Sequence, residues 1–126
     1  MPFVVHHPVQ YRGRDKKGTG HCAALPQALL PGCPHTCHWK QGVQVKMKKD
    51  LPPGTVIATF NSNGDYHYVE HEHLAHTALY VGQDAEGITV VHQHKKLKTI
   101  ELHKYRFGDR TNAVQNADNY YVVEQK

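Results

Sequence analysis

Long apolar runs are missing from this 126-residue sequence. None approaches the roughly 20 residues that a membrane-spanning helix needs. The opening MPFVVHHPVQ has neither the charged start nor the apolar stretch of an export signal. The chain is therefore expected to be made in the cytoplasm without Sec-type export and to lie outside any membrane. Cysteine is scarce and odd in number. Only Cys22, Cys33 and Cys37 are present, which argues against a disulfide-built scaffold and leaves at least one thiol outside any intramolecular disulfide. The basic runs Lys46-Met47-Lys48-Lys49 and Lys95-Lys96-Leu97-Lys98 have no aromatic residues alternating with them, so a nucleic-acid partner is not expected. Internal repeats and low-complexity segments are also missing.

What is there is the balance of a globular protein: 39% hydrophobic and 21% charged residues, in a length that fits one domain over residues 1–126. A net charge of +4 gives a mild preference for anionic partners. Residues 1–19 are irregular and basic, and Gly18 and Gly20 punctuate the chain before the pattern changes. In CAALPQALLPG, Ala24, Leu25, Ala28 and Leu29 recur at helical spacing, with Pro26 tolerable in a first turn and Pro31-Gly32 as the stop. Residues 33–50 read as loop and short turns. TVIATF, HTALYVG, ITVVHQH, LKTIELHKY and YYVVE then read as strands, with QDAEG joining the second and third as a hairpin. One helix followed by about five strands predicts an α+β fold on a mostly antiparallel sheet.

This order places candidate chemistry. Cys22 falls at or just before a helix N-terminus, where unpaired N–H groups favour a thiolate. A nucleophilic cysteine also needs a base, and His76, at the head of HTALYVG, would be held on a packed strand. The base in turn needs an orienting partner, for which His92, Gln93 and His94 of the neighbouring strand are candidates. A hairpin without a bulge is expected to put His92 and His94 on the face of His76. His71 and His73 of HEHLAH read as loop residues at the mouth of the cleft. Zinc is the rival reading. His73-x-x-His76 and the group Cys33, His35, Cys37 and His38 have the right residue types, but the first lacks the HExxH spacing and the second lacks a matching cysteine pair. No metal or other cofactor is expected.

Gly20-His21-Cys22, the LPPGTVIATF strand, Trp39-Lys40-Gln41-Gly42, His76 in HTALYVG with the YVGQD turn, and VVHQH together resemble the CHAP and NlpC-type papain-like cysteine peptidases. The likeness is greatest to a small bacterial branch that includes type VI secretion amidase effectors. The resemblance implies a papain-like fold with a helix carrying the nucleophile, Cys22 as nucleophile, His76 as base and acid, and His92 as the third member. For the oxyanion it implies the Cys22 N–H with help from His21, which stands where relatives have glutamine. It also implies hydrolysis of amide bonds in peptidoglycan peptides, in the periplasm or cell wall after secretion, by an antibacterial toxin with a cognate immunity protein. The alternative is a zinc- or ligand-binding module on the same fold without hydrolase activity.

Overall fold

Apolar, β-branched segments pair with one another wherever the chain supplies them, and the sheet they form carries the rest of the molecule. In the computed structural model, which describes residues 2–67 and 75–126, one short helix, α1 (Ala24–Leu29), precedes six strands. These are β1 (Trp39–Gln44), β2 (Val56–Thr59), β3 (Thr77–Gln83), β4 (Gly87–His92), β5 (Glu101–Arg106) and β6 (Tyr120–Gln125). All pair antiparallel in one sheet of order β1-β6-β2-β3-β4-β5. The mostly antiparallel α+β expectation holds, with six strands instead of about five.

The added strand is β1, inside the stretch expected to be loop. Its residues, WKQGVQ, have little strand propensity of their own, and the pairing comes from tertiary context. Trp39 is fully buried and its indole N–H donates to the Pro34 carbonyl at 3.1 Å, which anchors the strand start beside β6. Gly42 permits the close approach. A Cβ there would come within 2.7 Å of the Val122 carbonyl oxygen.

Apolar residues cover both faces of the sheet. Leu25 of α1 packs with Trp39, Val56, Ala58, Leu79 and Val91 on one face. On the other, Ile57, Ala78, Tyr80, Val90 and Tyr105 gather with Val114 and Ala117 from the connection into β6. This double burial explains why β2 and much of β4 read as continuous apolar runs without alternation.

Two local features set the site. The first is α1, only six residues long, with Pro26 in its first turn, where a missing N–H leaves no intrahelical bond unmade. Cys22 lies two residues ahead of it, in a turn closed by Ala24 N–H to the His21 carbonyl at 3.1 Å and Leu25 N–H to the Cys22 carbonyl at 3.3 Å. The cysteine is thus on the approach to the helix and not on the helix itself.

The second is a bulge in the β3–β4 hairpin, which corrects the bulge-free expectation. Gln83 pairs with Ile88 and Gly82 with Thr89, but Tyr80 pairs with Val90 and Leu79 with Val91, so Val81 is an extra residue on β3. Continued without that shift, the turn-side register would put Ala78 opposite Gln93 and turn His92 to the far face. The bulge is what brings His92 to the face of His76.

Candidate active site

His76 and Thr77 are consecutive, and in an extended chain consecutive side chains point to opposite faces. Each begins a separate hydrogen-bonded group. Thr77 Oγ1 donates to Tyr66 Oη at 2.9 Å, and Tyr66 Oη lies 3.4 Å from Cys22 Sγ. With Thr77 donating, the phenolic proton of Tyr66 is directed elsewhere, and the Cys22 sulfur is within its reach. On the other side, His76 Nε2 lies 2.8 Å from His92 Nδ1, which is also 3.1 Å from Tyr105 Oη. Cys22, His76 and His92 are all buried.

The backbone of His76 is pinned to the end of β2. Its N–H donates to Thr59 Oγ1 at 2.9 Å and its carbonyl accepts from the Thr59 N–H at 3.0 Å. The structure therefore brings together His76 and His92, and places Cys22 against Tyr66. No hydrogen bond joins Cys22 to His76 among the described residues.

Burial decides the charge of the histidines. Desolvation pushes the His76 pKa down to about 4, and His92 is pushed down first by desolvation and then by the neighbouring His76, His103 and His94. Both rings are neutral at pH 7, so one proton serves the Nε2–Nδ1 contact between them. Tyr105 is raised above the usual tyrosine range, chiefly by desolvation, and stays a neutral hydroxyl. A neutral imidazole can act as a base that takes up a proton.

Gln93 and His94, the other candidates for the third position, are placed differently. His94 stands with its ring centroid 6.1 Å from that of His76, and its Nδ1 accepts from the Lys96 N–H at 3.2 Å. Gln93 is fully buried and clamps the segment ahead of Cys22. Its Oε1 accepts from Lys17 N–H at 2.8 Å, and its Nε2 donates to the carbonyls of Lys17 at 2.9 Å and His21 at 2.7 Å. One side chain thus ties the strand that ends in His92 to the loop that ends in Cys22. Gln93→Met, similar in length but unable to make these bonds, is expected to lower kcat about 100-fold with KM changed far less, because a displaced loop misplaces the nucleophile. Steady-state kinetics with a thermal melt as control check this; an unchanged kcat would show that the clamp does not position Cys22.

A cavity of about 220 Å³ opens beside Cys22, lined by His21, Gln27, His35, Thr36 and Tyr66 among others. Among the described residues its walls carry the hydroxyls of Thr19, Thr36 and Tyr66, the Gln27 amide and the imidazoles of His21 and His35. His35 Nδ1 accepts from the Cys37 N–H at 3.2 Å. Cys33 is half-buried, and desolvation raises its thiol pKa to about 11, while Cys37 is exposed. Among the described residues no three His, Cys, Asp or Glu side chains are grouped as metal ligands. His71 and His73 lie outside the described residues.

The family profile described as domesticated amidase effector 2 matches residues 3–123. The chain belongs to the domesticated amidase effector 2 family. Among curated proteins, the type VI secretion amidase effector 2 protein of Salmonella typhi is 32% identical over 137 residues, covering 98% of this chain and 100% of that one. Among solved structures, a type 6 secretion amidase effector 2 superposes with a TM-score of 0.86 at 28% identity, covering 100% of this chain and 96% of the other. The amidase-effector part of the sequence resemblance is thus met across nearly the whole length. Among the described residues no helix is long and apolar enough to cross a membrane.

Three participants escaped the sequence reading: Tyr66, Thr77 and Tyr105. Tyr66 sits in the polar stretch NSNGDYHY, where nothing in the pattern marks one tyrosine from another. Tyr105 was visible as a strand residue, and only the register Ile88↔Tyr105 shows that it shares a face with His92.

Proposed function

We propose that the chain is a thiol-dependent amidase of the papain-like, CHAP and NlpC-type plan, hydrolysing amide bonds in the peptides of bacterial peptidoglycan as an antibacterial toxin. The observation that carries this reading is the buried His76–His92 hydrogen bond of 2.8 Å in an amidase-effector fold whose Cys22 lines a cavity. Since Nε2 of His76 is engaged by His92, Nδ1 is the nitrogen that receives the Cys22 proton. The reading requires a Cys22–His76 contact that forms in the substrate complex, since the structure has Cys22 against Tyr66 and His76 against His92.

In this reading Cys22 Sγ attacks the scissile carbonyl as its proton passes to His76. The backbone N–H of Cys22 holds the oxyanion, assisted by His21 and by the phenol of Tyr66, which stands against the sulfur. The imidazolium so formed is buried and strongly acidic, and it gives its proton to the leaving amine as the C–N bond breaks. Water, deprotonated by His76, then hydrolyses the thioester and restores the thiol. His92 fixes the ring of His76. A neutral imidazole stabilises the imidazolium less than a carboxylate would, so His92 acts chiefly on orientation. Delivery by type VI secretion to the wall, and a cognate immunity protein covering the cleft, complete the proposal.

The test is release of soluble fragments from purified peptidoglycan by the wild-type chain before and after alkylation with iodoacetamide, and with a chelator. Activity lost on alkylation of Cys22, located by mass spectrometry, and kept in the chelator is the expected result. Activity that survives complete alkylation of Cys22, or that the chelator removes, would overturn the thiol mechanism.

A further inference from the structure

The positive charge of the chain is gathered on one side of the cleft. Residues 12–17 carry Arg12, Arg14, Lys16 and Lys17, and residues 94–98 carry Lys95, Lys96 and Lys98. Backbone bonds stitch the two segments together: Gly13 N–H to the Ile100 carbonyl at 2.7 Å, Ile100 N–H to the Arg14 carbonyl at 2.9 Å, and an antiparallel bridge between Asp15 and Thr99. Lys16 Nζ also reaches the His94 carbonyl at 3.2 Å. Seven cations thus stand against the single carboxylate of Asp15, a local excess of six, while the whole chain carries +4. Counting Glu101 at the head of β5 still leaves five. The remainder of the molecule is therefore slightly acidic.

This rim borders the nucleophile. Lys17 and His21 share the Gln93 clamp, and Cys22 follows His21. Lys16 and Lys96 also act on His94, whose pKa is lowered first by desolvation, then by His76 and by these two ammonium groups. Arg12, Arg14, Lys95, Lys96 and Lys98 are exposed. Among the described residues none of the seven takes part in an ion pair, whereas Lys46, Lys48, Lys104, Arg106 and Lys126 all do. Unpaired cations at this density raise the local concentration of anions. No Trp, Tyr or Phe stands among residues 12–17 or 94–98 to anchor a protein interface.

We propose that this cationic rim is a docking surface for the carboxylates of the peptidoglycan polymer, held while Cys22 acts on its peptide. The inference rests on the amidase reading for the choice of the wall as target, and its test does not depend on catalysis. The full-length Cys22→Ala chain is sedimented with purified insoluble sacculi over a graded salt series. Beside it go the same chain with Lys95→Glu, Lys96→Glu and Lys98→Glu together, and a control with the same charge change on the opposite side of the sheet, Lys40→Glu, Lys48→Glu and Lys49→Glu.

Binding of the parent is expected to fall linearly, log on log, with salt, and the rim variant to bind about tenfold or more weaker at low salt with a shallower slope. The control should keep most of the binding. Sacculi stripped of phosphodiester-linked polymers with hydrofluoric acid separate the two sources of negative charge: binding kept on stripping is the expected result, and binding lost would assign the rim to phosphates and overturn the proposal. Equal losses in the rim and control variants would show an effect of net charge alone and overturn the proposal. So would full retention by the rim variant, which would leave an acidic protein as the partner class. Failure of wall digestion by the active chain would count against the amidase reading and leave this binding result standing.

Discussion

Cys22→Ala is expected to reduce amide hydrolysis by about 10⁴-fold or more, and the double variant Cys22→Ala with His76→Gln to be no worse than Cys22→Ala alone. Groups that act as one catalytic unit lose nearly everything with the first removal, so their effects are far from additive. The structure favours a clean experiment. Among the described residues the Cys22 sulfur has one polar neighbour, Tyr66 Oη at 3.4 Å, so truncation leaves a small void and no stranded charge. His76→Gln keeps a hydrogen-bonding side chain opposite His92, where alanine would leave a cavity among the rings of His92, His94 and Tyr105. Thermal melts separate loss of fold from loss of chemistry. The outcome that sinks the assignment is wall digestion that persists in folded Cys22→Ala, or a double variant whose losses add as independent sites would.

The sequence suggests His92 beside His76 on the premise of an unbulged hairpin, and the geometry reaches that pairing only because the hairpin is bulged. The parity argument assumed an unbulged hairpin, and an unbulged hairpin continued from Gln83↔Ile88 would deliver Gln93 to that face. Val81 supplies the missing residue of shift, and nothing in YVGQDAEG marks it as a bulge, because bulges are selected by the pairing of two strands and not by one segment's composition. β1 was hidden for a related reason: its strand state depends on Trp39 being buried beside β6, some eighty positions away in the chain. The helix was visible from apolar spacing, though Pro26 and Pro31 hold it to six residues and leave Cys22 outside it. In the sequence Gln93 is a candidate third catalytic member because it neighbours His92. Its side chain points to the other face of the sheet, where only the folded path of Lys17–His21 gives it partners.

The second large effect expected is on stability in acid. His76 and His92 are buried as neutral rings, with His76 at about 4 and His92 lowered in the same direction, whereas in the unfolded chain both return to the ordinary value of about 6.5. Between those values the unfolded state binds protons that the folded state refuses. Stability therefore rises with pH through this window, is fully present above about pH 6.5, and is lost as pH falls toward 4. Two such groups make the loss on the order of a few kcal/mol, a large share of a small domain's margin. Carboxylate titration does not mimic this. Asp84, held down to about 2 by its hydrogen bond from Lys104, changes charge at lower pH and is fully exposed. Urea unfolding at a series of pH values should show a flat midpoint above pH 6.5 and a steep decline below it, with the decline shallower in His92→Gln, which removes one titrating ring. A midpoint that does not move between neutral pH and pH 4.5, or a slope unchanged by His92→Gln, would mean that the two rings are hydrated or charged in the folded protein, and with them would go the neutral-base role assigned to His76.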